Sequence, residues 1–278
     1  VELGPVELKP ANLKLAGKVL DVDDKPVTRA TVYLSGDGQS STTARTDREG
    51  RFSFDQICEG QVRLYAFAAS PGGSMSLDSR NSTLAEAGET NVVLKLGESS
   101  SSSVSSFSSF KPQKLKGTVT DPSGKPVSGA QVAVLPFSSS ETKTDANGVF
   151  NLTWSRSMPA QMGNPNMLVR DTVHNLAAVE ELSEETTNLN IQLKPAVTVA
   201  GRVVGPDSAP LTNAQVKVSL HVSRTYSQVG DQLAATDADG RFKITTLPTD
   251  QEYTVYANAK GRGQGQQKVQ AGSETNWV

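Results

Sequence analysis

Residues 15–34 read LAGKVLDVDDKPVTRATVYL, and the pattern returns twice, as LKGTVTDPSGKPVSGAQVAV from Leu115 and VAGRVVGPDSAPLTNAQVKV from Val199. Gly17, Gly117 and Gly201 lead the three copies. Pro26, Pro126 and Pro210 follow nine residues later, and Ala30, Ala130 and Ala214 thirteen residues later. Equal offsets in three places mark an internal repeat, and a repeat decides the fold before any single motif does.

A second block recurs downstream as TDREGRFSF from Thr46, TDANGVFNL from Thr144 and TDADGRFKI from Thr236. Asp and Asn accept local backbone hydrogen bonds, Gly supplies positive φ, and the flanks alternate, so the block predicts a hairpin with Phe52, Phe150 and Phe242 pointing inward. Further alternating stretches follow, QVRLYAFA from Gln61 and EYTVYANA from Glu252, then TNVVLKL from Thr90 and TNLNIQL from Thr187. The one stretch with helical flavour, NLAAVEELSEE from Asn175, precedes a final strand and is read as strand or loop. Short strands with turn punctuation make each repeat an all-β sandwich.

Each core must be modest. Hydrophobic residues are 36% of the 278, and aromatics 5%, which suits several thin sandwiches better than one large core. The expected layout is an N-terminal strand at 1–10, module 1 at 11–97, a Ser-rich linker at 98–112, module 2 at 113–195 and module 3 at 196–278.

The pattern G-x-V-x-D-x-x-x-x-P-V-x-x-A-x-V followed by T-D-x-x-G-x-F resembles the carboxypeptidase regulatory-like domain. That resemblance implies three tandem seven-stranded Greek-key sandwiches, similar to transthyretin and to B-type adhesin repeats. It also implies a non-catalytic module, used in bacteria as an accessory, spacer or binding unit on exported proteins. The third copy departs from the pattern at Gly205, where the others carry Asp21 and Asp121.

The ends of the chain fit each other. Modules 1 and 2 finish on T-N-x-x-φ-x-L, whereas module 3 reaches only Thr275, Asn276, Trp277 and Val278. The first residues, VELGPVELKP, match no strand that module 1 needs, and Val6–Pro10 resembles Ile191–Pro195. Two arrangements account for this. Either 278 residues were taken from a longer tandem array, or Val1, Leu3, Val6 and Leu8 form a strand donated to a neighbouring copy, whose acceptor edge is Thr275–Val278. A donated strand joins unlike surfaces and propagates head to tail. The absent initiator Met fits a processed chain or a piece of a longer one.

Other function classes find little support. With 27 basic and 29 acidic residues and a net charge of −2, there is no polycation for nucleic acid or anionic lipid. No apolar run is long enough to span a membrane. Cys58 is the only cysteine, which excludes an intrachain disulfide and reads as a buried thiol.

His174 and His221 sit in no catalytic or metal-binding spacing and are read as surface or loop residues. The run at Asp237 lacks the spacing of a calcium loop. No catalytic residue, cofactor or metal is therefore expected. An isopeptide bond is a further candidate, with Lys18 and Asn91 as the pair. Attached glycan is another, at Ser99, Ser100, Ser101, Ser102 and Ser103 in the Ser-rich run or at the sequons of Asn81 and Asn151.

The expectation is a structural protein of an extracellular fibre or surface stalk whose partners are other copies of itself or adjoining repeats. The alternatives are a ligand-binding or sensory ectodomain and the accessory region of an exported hydrolase.

Overall fold

The computed structural model describes residues 1–67, 82–96, 112–135, 141–154, 164–183, 185–222 and 225–271. Among the described residues every regular element is a strand.

Module 1 is built from β2 (Ala11–Leu20), β3 (Thr31–Gly36), β4 (Thr42–Arg45), β5 (Arg51–Cys58), β6 (Gln61–Phe67), β7 (Ser82–Glu86) and β8 (Val92–Lys95). They form two sheets, β5-β2-β8 and β4-β3-β6-β7. Alternation along the strands sets the two faces. In β6, Val62 and Leu64 are buried while Gln61 and Arg63 are exposed, as a pleat with period two requires. Leu15, Val19, Phe52, Phe54, Leu64 and Leu94 fill the space between the sheets.

Module 2 repeats the plan with β9 (Gln113–Thr120), β10 (Gln131–Leu135), β11 (Glu141–Lys143), β12 (Val149–Trp154), β13 (Asn166–Asp171), β14 (Leu176–Glu181) and β15 (Asn188–Gln192). A two-residue strand, β16 (Lys194–Pro195), adds to the edge of β14. The NLAAVEEL stretch is the β14 hairpin arm, antiparallel to β13. Module 3 contributes β17 (Val197–Val204), β18 (Gln215–Val222), β19 (Thr225–Ala235), β20 (Arg241–Leu247), β21 (Gln251–Asn258) and β22 (Gln264–Ala271). Its seventh strand is β1 (Val6–Glu7), paired parallel to β17.

The three signature blocks have one structural job each. A methyl group on Gly17 would lie 2.1 Å from the Val92 carbonyl oxygen and 2.8 Å from the Phe52 ring, and one on Gly117 would lie 1.9 Å from the Leu189 carbonyl. Glycine stands there because a neighbouring strand and an inward Phe leave no room for Cβ. Phe52, Phe150 and Phe242 are all buried, at 3%, 1% and 4% exposure.

The TD block is not a hairpin. In module 1 it joins β4 to β5, which belong to opposite sheets, and its sisters do the same from β11 to β12 and from β19 to β20. The expected turn chemistry is present nevertheless. Asp47 Oδ1 accepts from the Glu49 and Arg51 amides, as Asp145 does from Asn147 and Val149 and Asp237 from Asp239 and Arg241. The turn is tight, but the chain leaving it crosses the core instead of pairing with the strand it came from.

The Thr that opens each block is buried and ties two elements together. Thr46 Oγ1 accepts from the Ala30 amide and donates to the Val27 carbonyl. Thr144 does so with Ala130 and Val127, and Thr236 with Ala214 and Leu211. This explains why the P-V-x-x-A spacing and the Thr recur together. At Gly205 the missing carboxylate changes little: the backbone bond from Gly205 N to the Ala209 carbonyl matches those from Asp21 to Lys25 and from Asp121 to Lys125, and Asp207 Oδ1 accepts from the Ala209 amide as Asp21 and Asp121 do from Lys25 and Lys125.

Candidate functional site

In modules 1 and 2 the last strand enters beside the first, parallel to it. Val92 pairs with Gly17 and Leu94 with Val19; Leu189 pairs with Gly117 and Ile191 with Val119. The strand then closes with one more bond, from Leu96 N to Leu20 O in module 1 and from Leu193 N to Thr120 O in module 2, both 2.8 Å.

In module 3 the same slot holds residues 1–8 of the same chain. Ala200 N donates to Val1 O at 2.9 Å, Leu3 N to Ala200 O at 2.7 Å and Leu8 N to Val204 O at 2.9 Å. Val6 pairs with Val203. Leu8 is therefore the counterpart of Leu96 and Leu193, and Val6 that of Leu94 and Ile191. Leu3 lies against Gly201, where its Cβ is 3.2 Å from an added methyl, so it matches Val92 and Leu189. Leu3 and Val6 are separated by one residue more than their counterparts, and Gly4-Pro5 occupies the excess.

Val6 at 3% exposure and Leu8 at 0% belong to the module 3 core. Burying two such side chains contributes about 1.5–3 kcal/mol each. The structure thus seats residues 1–8 in module 3 of their own chain, where they supply the closing strand that module 3 was expected to lack. The expected acceptor edge, Thr275–Val278, lies outside the described residues.

Because residues 1–8 end module 3, residues 9–11 link it to module 1 as residues 194–196 link module 2 to module 3. With the closing leucine before it, each link reads Leu-Lys-Pro-Ala. Ala196 N donates to Asn175 O, and Ala11 N to Gly261 O, both at 2.9 Å. In each case the acceptor lies in the turn of the preceding module's edge hairpin.

At the junction of modules 2 and 3, Arg170 donates from Nε to Thr246 O at 3.0 Å and from its terminal nitrogen to Thr245 O at 3.2 Å. Asn175 Oδ1 accepts from the Thr246 amide and hydroxyl, while its Nδ2 donates to Ala196 O. Thr246 has φ 60°, a left-handed bulge that turns its amide towards module 2. Leu135, Leu168 and Val179 of module 2 join the module 3 cluster.

The junction of modules 3 and 1 is more polar and has its own fixed points. Gly263 N donates to Lys9 O and Gln264 N to Gly38 O. Cys58 is buried there, and a methyl on Gly263 would come within 2.4 Å of its sulfur. Burial pushes the Cys58 thiol up from its ordinary value, with Lys9 opposing. Gln39 brackets the same residue, donating to Cys58 O and accepting from Cys58 N. Gln56 in β5 has φ 65°, the same bulge as Thr246 in β20.

The carboxypeptidase regulatory-like domain matches this chain three times, over residues 14–97, 114–194 and 198–277. The chain belongs to the carboxypeptidase regulatory-like domain family. Halomucin of Haloquadratum walsbyi is 26% identical to it over 165 residues, a stretch that is 57% of this chain and 2% of that protein. The chain therefore spans a small fraction of that relative.

Among solved structures, the streptococcal ancillary pilin is similar at 13% identity, with 96% of each chain covered and a TM-score of 0.26. The Bacillus anthracis TIE protein is similar at 15% identity, over 94% of this chain and 49% of that one, with a TM-score of 0.23. The major pilin subunit of Bacillus cereus is similar at 9%, over 95% and 96%, with a TM-score of 0.21.

Within the regulatory-like modules the remaining expected positions fall as follows. His174 is a turn residue whose Nδ1 lies 2.6 Å from the buried Asp171 carboxylate. His221 is not in a loop. It lies in β18 with its side chain 14% exposed, Nε2 2.8 Å from Thr254 Oγ1 and Nδ1 3.1 Å from Glu252. The order hydroxyl, imidazole, carboxylate is that of an activated nucleophile, yet Thr254 is 2% exposed and its hydroxyl has no route to a substrate. Sequence reasoning missed this trio because His221 lies 33 residues before Thr254 and meets it and Glu252 only through the pairing of β18 with β21.

Lys18 and Asn91 line one shallow hollow of module 1, but both are exposed. Asn151 is exposed on β12 opposite Lys116; Asn81 and Ser99–Ser103 lie outside the described residues. Among the described residues no group of three His, Cys, Asp or Glu side chains is placed to hold a metal.

Proposed function

We propose that this chain is a non-catalytic structural unit of an extracellular fibre or surface stalk, assembled head to tail by passing residues 1–10 from one copy into module 3 of the next. The observation that carries the reading is the pairing of β1 with β17: module 3 takes its closing strand from a segment that precedes module 1 in sequence. A strand seated in its own chain can be exchanged for that of a second copy with every backbone bond kept, since donor and slot are the same atoms in both cases.

The repeated Leu-Lys-Pro-Ala link supports this. It sets module 1 on module 3 as module 3 sits on module 2, and the contacts across the junction are the same whether the modules share a chain or not. Closed copies store the strand, and exchanged copies form an open series. The family's use as a spacer or binding unit on exported proteins fits an exposed, load-spanning role, and the serine-rich run from Ser99 fits a place outside the cytoplasm, with glycan as a candidate attachment.

Deleting residues 1–10 and examining concentrated protein by electron microscopy tests the proposal. Loss of filaments is the expected result. Filaments unchanged by the deletion would sink strand exchange.

A further inference from the structure

The two junctions put equivalent positions to different use. Where modules 2 and 3 meet, Arg170 and Asn175 of module 2 reach across to the bulge at Thr245 and Thr246. The repeat fixes their counterparts where modules 3 and 1 meet. Asn258 pairs with Gln215 as Arg170 pairs with Gln131, and the Gly261 carbonyl accepts from Ala11 as that of Asn175 does from Ala196. Asp55 and Gln56 stand three and four residues after Phe52, as Thr245 and Thr246 do after Phe242. A guanidinium is thus replaced by a short amide, and an asparagine side chain by none. What remains is a hollow of about 380 Å³ whose lining includes Asp55, Gln56, Asn213, Asn258, Gly261 and Arg262.

The apolar seam is missing as well. Leu135, Leu168 and Val179 of module 2 pack into the module 3 cluster. By the same register the matching positions of module 3 are Ser219, Tyr256 and Gln266, and among the described residues the module 1 cluster takes in no residue of module 3. Units without a large apolar interface move relative to one another. Among the described residues three backbone bonds cross this junction. Two end on the link, Ala11 N to Gly261 O and Gly263 N to Lys9 O, and one, Gln264 N to Gly38 O, reaches the body of module 1.

β1 is held far more firmly. Backbone bonds join Val1, Leu3 and Leu8 to β17, and Val6 and Leu8 are buried in the module 3 core. Two buried side chains outweigh one or two backbone bonds exchanged with water. The contact between the bodies therefore gives way before the strand does. Lys9 and Pro10, both exposed, lie between them as the pivot.

We infer that module 1 swings away from module 3 about Lys9–Pro10 while β1 stays seated, so that modules 2 and 3 move as one body and module 1 as another. The swing uncovers Cys58, which is packed under Gly263 in the closed form. It requires no second copy and no exchange of strand. In a fibre it places one compliant joint in each copy.

Asn258→Arg/Gly261→Asn transplants the clamp of the other junction. Gly261 has φ 71° and Asn175 φ 52°, so asparagine is accommodated there, and a Cβ on Gly261 meets nothing within 4 Å. In the full-length chain, reaction of Cys58 with a disulfide reagent reads the swing. Exchange of the Gln264 amide, bonded to Gly38 across the joint, reads it without the cysteine. The transplant should slow both at least about tenfold with thermal melting no lower than that of the native chain.

A second chain carries Glu2→Cys and Ala200→Cys, whose parent residues face each other across a bridge. Once oxidised, it holds β1 in its own module 3, and Cys58 should react at the native rate. A folded transplant in which Cys58 and the Gln264 amide keep their native rates overturns the inference. So does a locked chain in which Cys58 slows about tenfold, since the strand must then leave for the joint to open. Neither reading depends on filaments, so a failure of strand exchange leaves the swing standing.

Discussion

The Leu8 amide donates to the Val204 carbonyl at 2.9 Å, joining the eighth residue of the chain to a strand of the third module. Leu8 is fully buried, so Leu8→Ala should remove about 2–5 kcal/mol from module 3. Hydrogen exchange resolves where the loss falls. Amides of β17 and β20 should exchange faster, while those of β9 and β12 keep their protection. Equal loss in all three modules would mean that the strand does not belong to module 3 in particular.

Cys58 reports on the same closure. Its sulfur lies 3.8 Å from the Lys9 carbonyl oxygen under Gly263, and burial holds the thiol protonated beyond its usual range. A thiol raised in the folded state adds stability that is fully present below the unfolded pKa and is lost as pH rises through the folded one. At neutral pH the thiol should therefore label slowly with a disulfide reagent, at a rate set by opening of the junction between modules 1 and 3. Deleting residues 1–8 should speed labelling by at least about tenfold, the ratio for a 1.4 kcal/mol loss of protection. Labelling at the same rate with and without the strand would detach Cys58 from the junction.

Asn175 satisfies the buried Thr246 amide at a left-handed bulge and ties Ala196 to the same turn. Asn175→Ala leaves that amide without a partner, which costs about 1–3 kcal/mol. The substitution should loosen the junction of modules 2 and 3 without unfolding either. Limited proteolysis between Leu193 and Val197 should accelerate, while the melting of module 1 stays where it was.

The repeat and the all-β class were legible in sequence because their causes are local. A Gly that faces a carbonyl, a Thr that bridges two turns and a Phe that fills a core recur at fixed offsets. The destination of the TD turn was not legible. Asp47 shapes the same tight turn whether the next strand pairs back or crosses to the other sheet, and that choice is made by the distant pairing of β5 with β2. The N-terminal strand was visible as a strand in want of a sandwich, since Val6, Leu8 and Pro10 repeat Ile191, Leu193 and Pro195. Which copy of module 3 it enters depends on tethering and concentration, which a pattern of residues does not encode. The meeting of His221 with Thr254 and Glu252 was hidden for a similar reason, because register between β18 and β21 brings them together.

The turn of module 2 adds a prediction about acid. Asp121 is held below the usual carboxylate range, first by the Ser123 hydroxyl and then by the Lys125 backbone amide. A depressed folded pKa stabilises above the unfolded value and loses that contribution as pH falls through the folded one. The turn should therefore stay closed from neutral pH down to about pH 4, where a free Asp side chain is half protonated, and should open only below it. Ser123→Ala removes the largest of these bonds and should move the Asp121 titration, read by carboxyl carbon NMR, back towards the free value. The Lys125 amide shift would follow the same curve, because that amide shares the carboxylate. In module 3 the equivalent residue is Gly205 and the Ala209 amide donates instead to Asp207 Oδ1, so Ser123→Ala should leave the Ala209 amide shift unchanged at every pH, and a change there would refute the assignment.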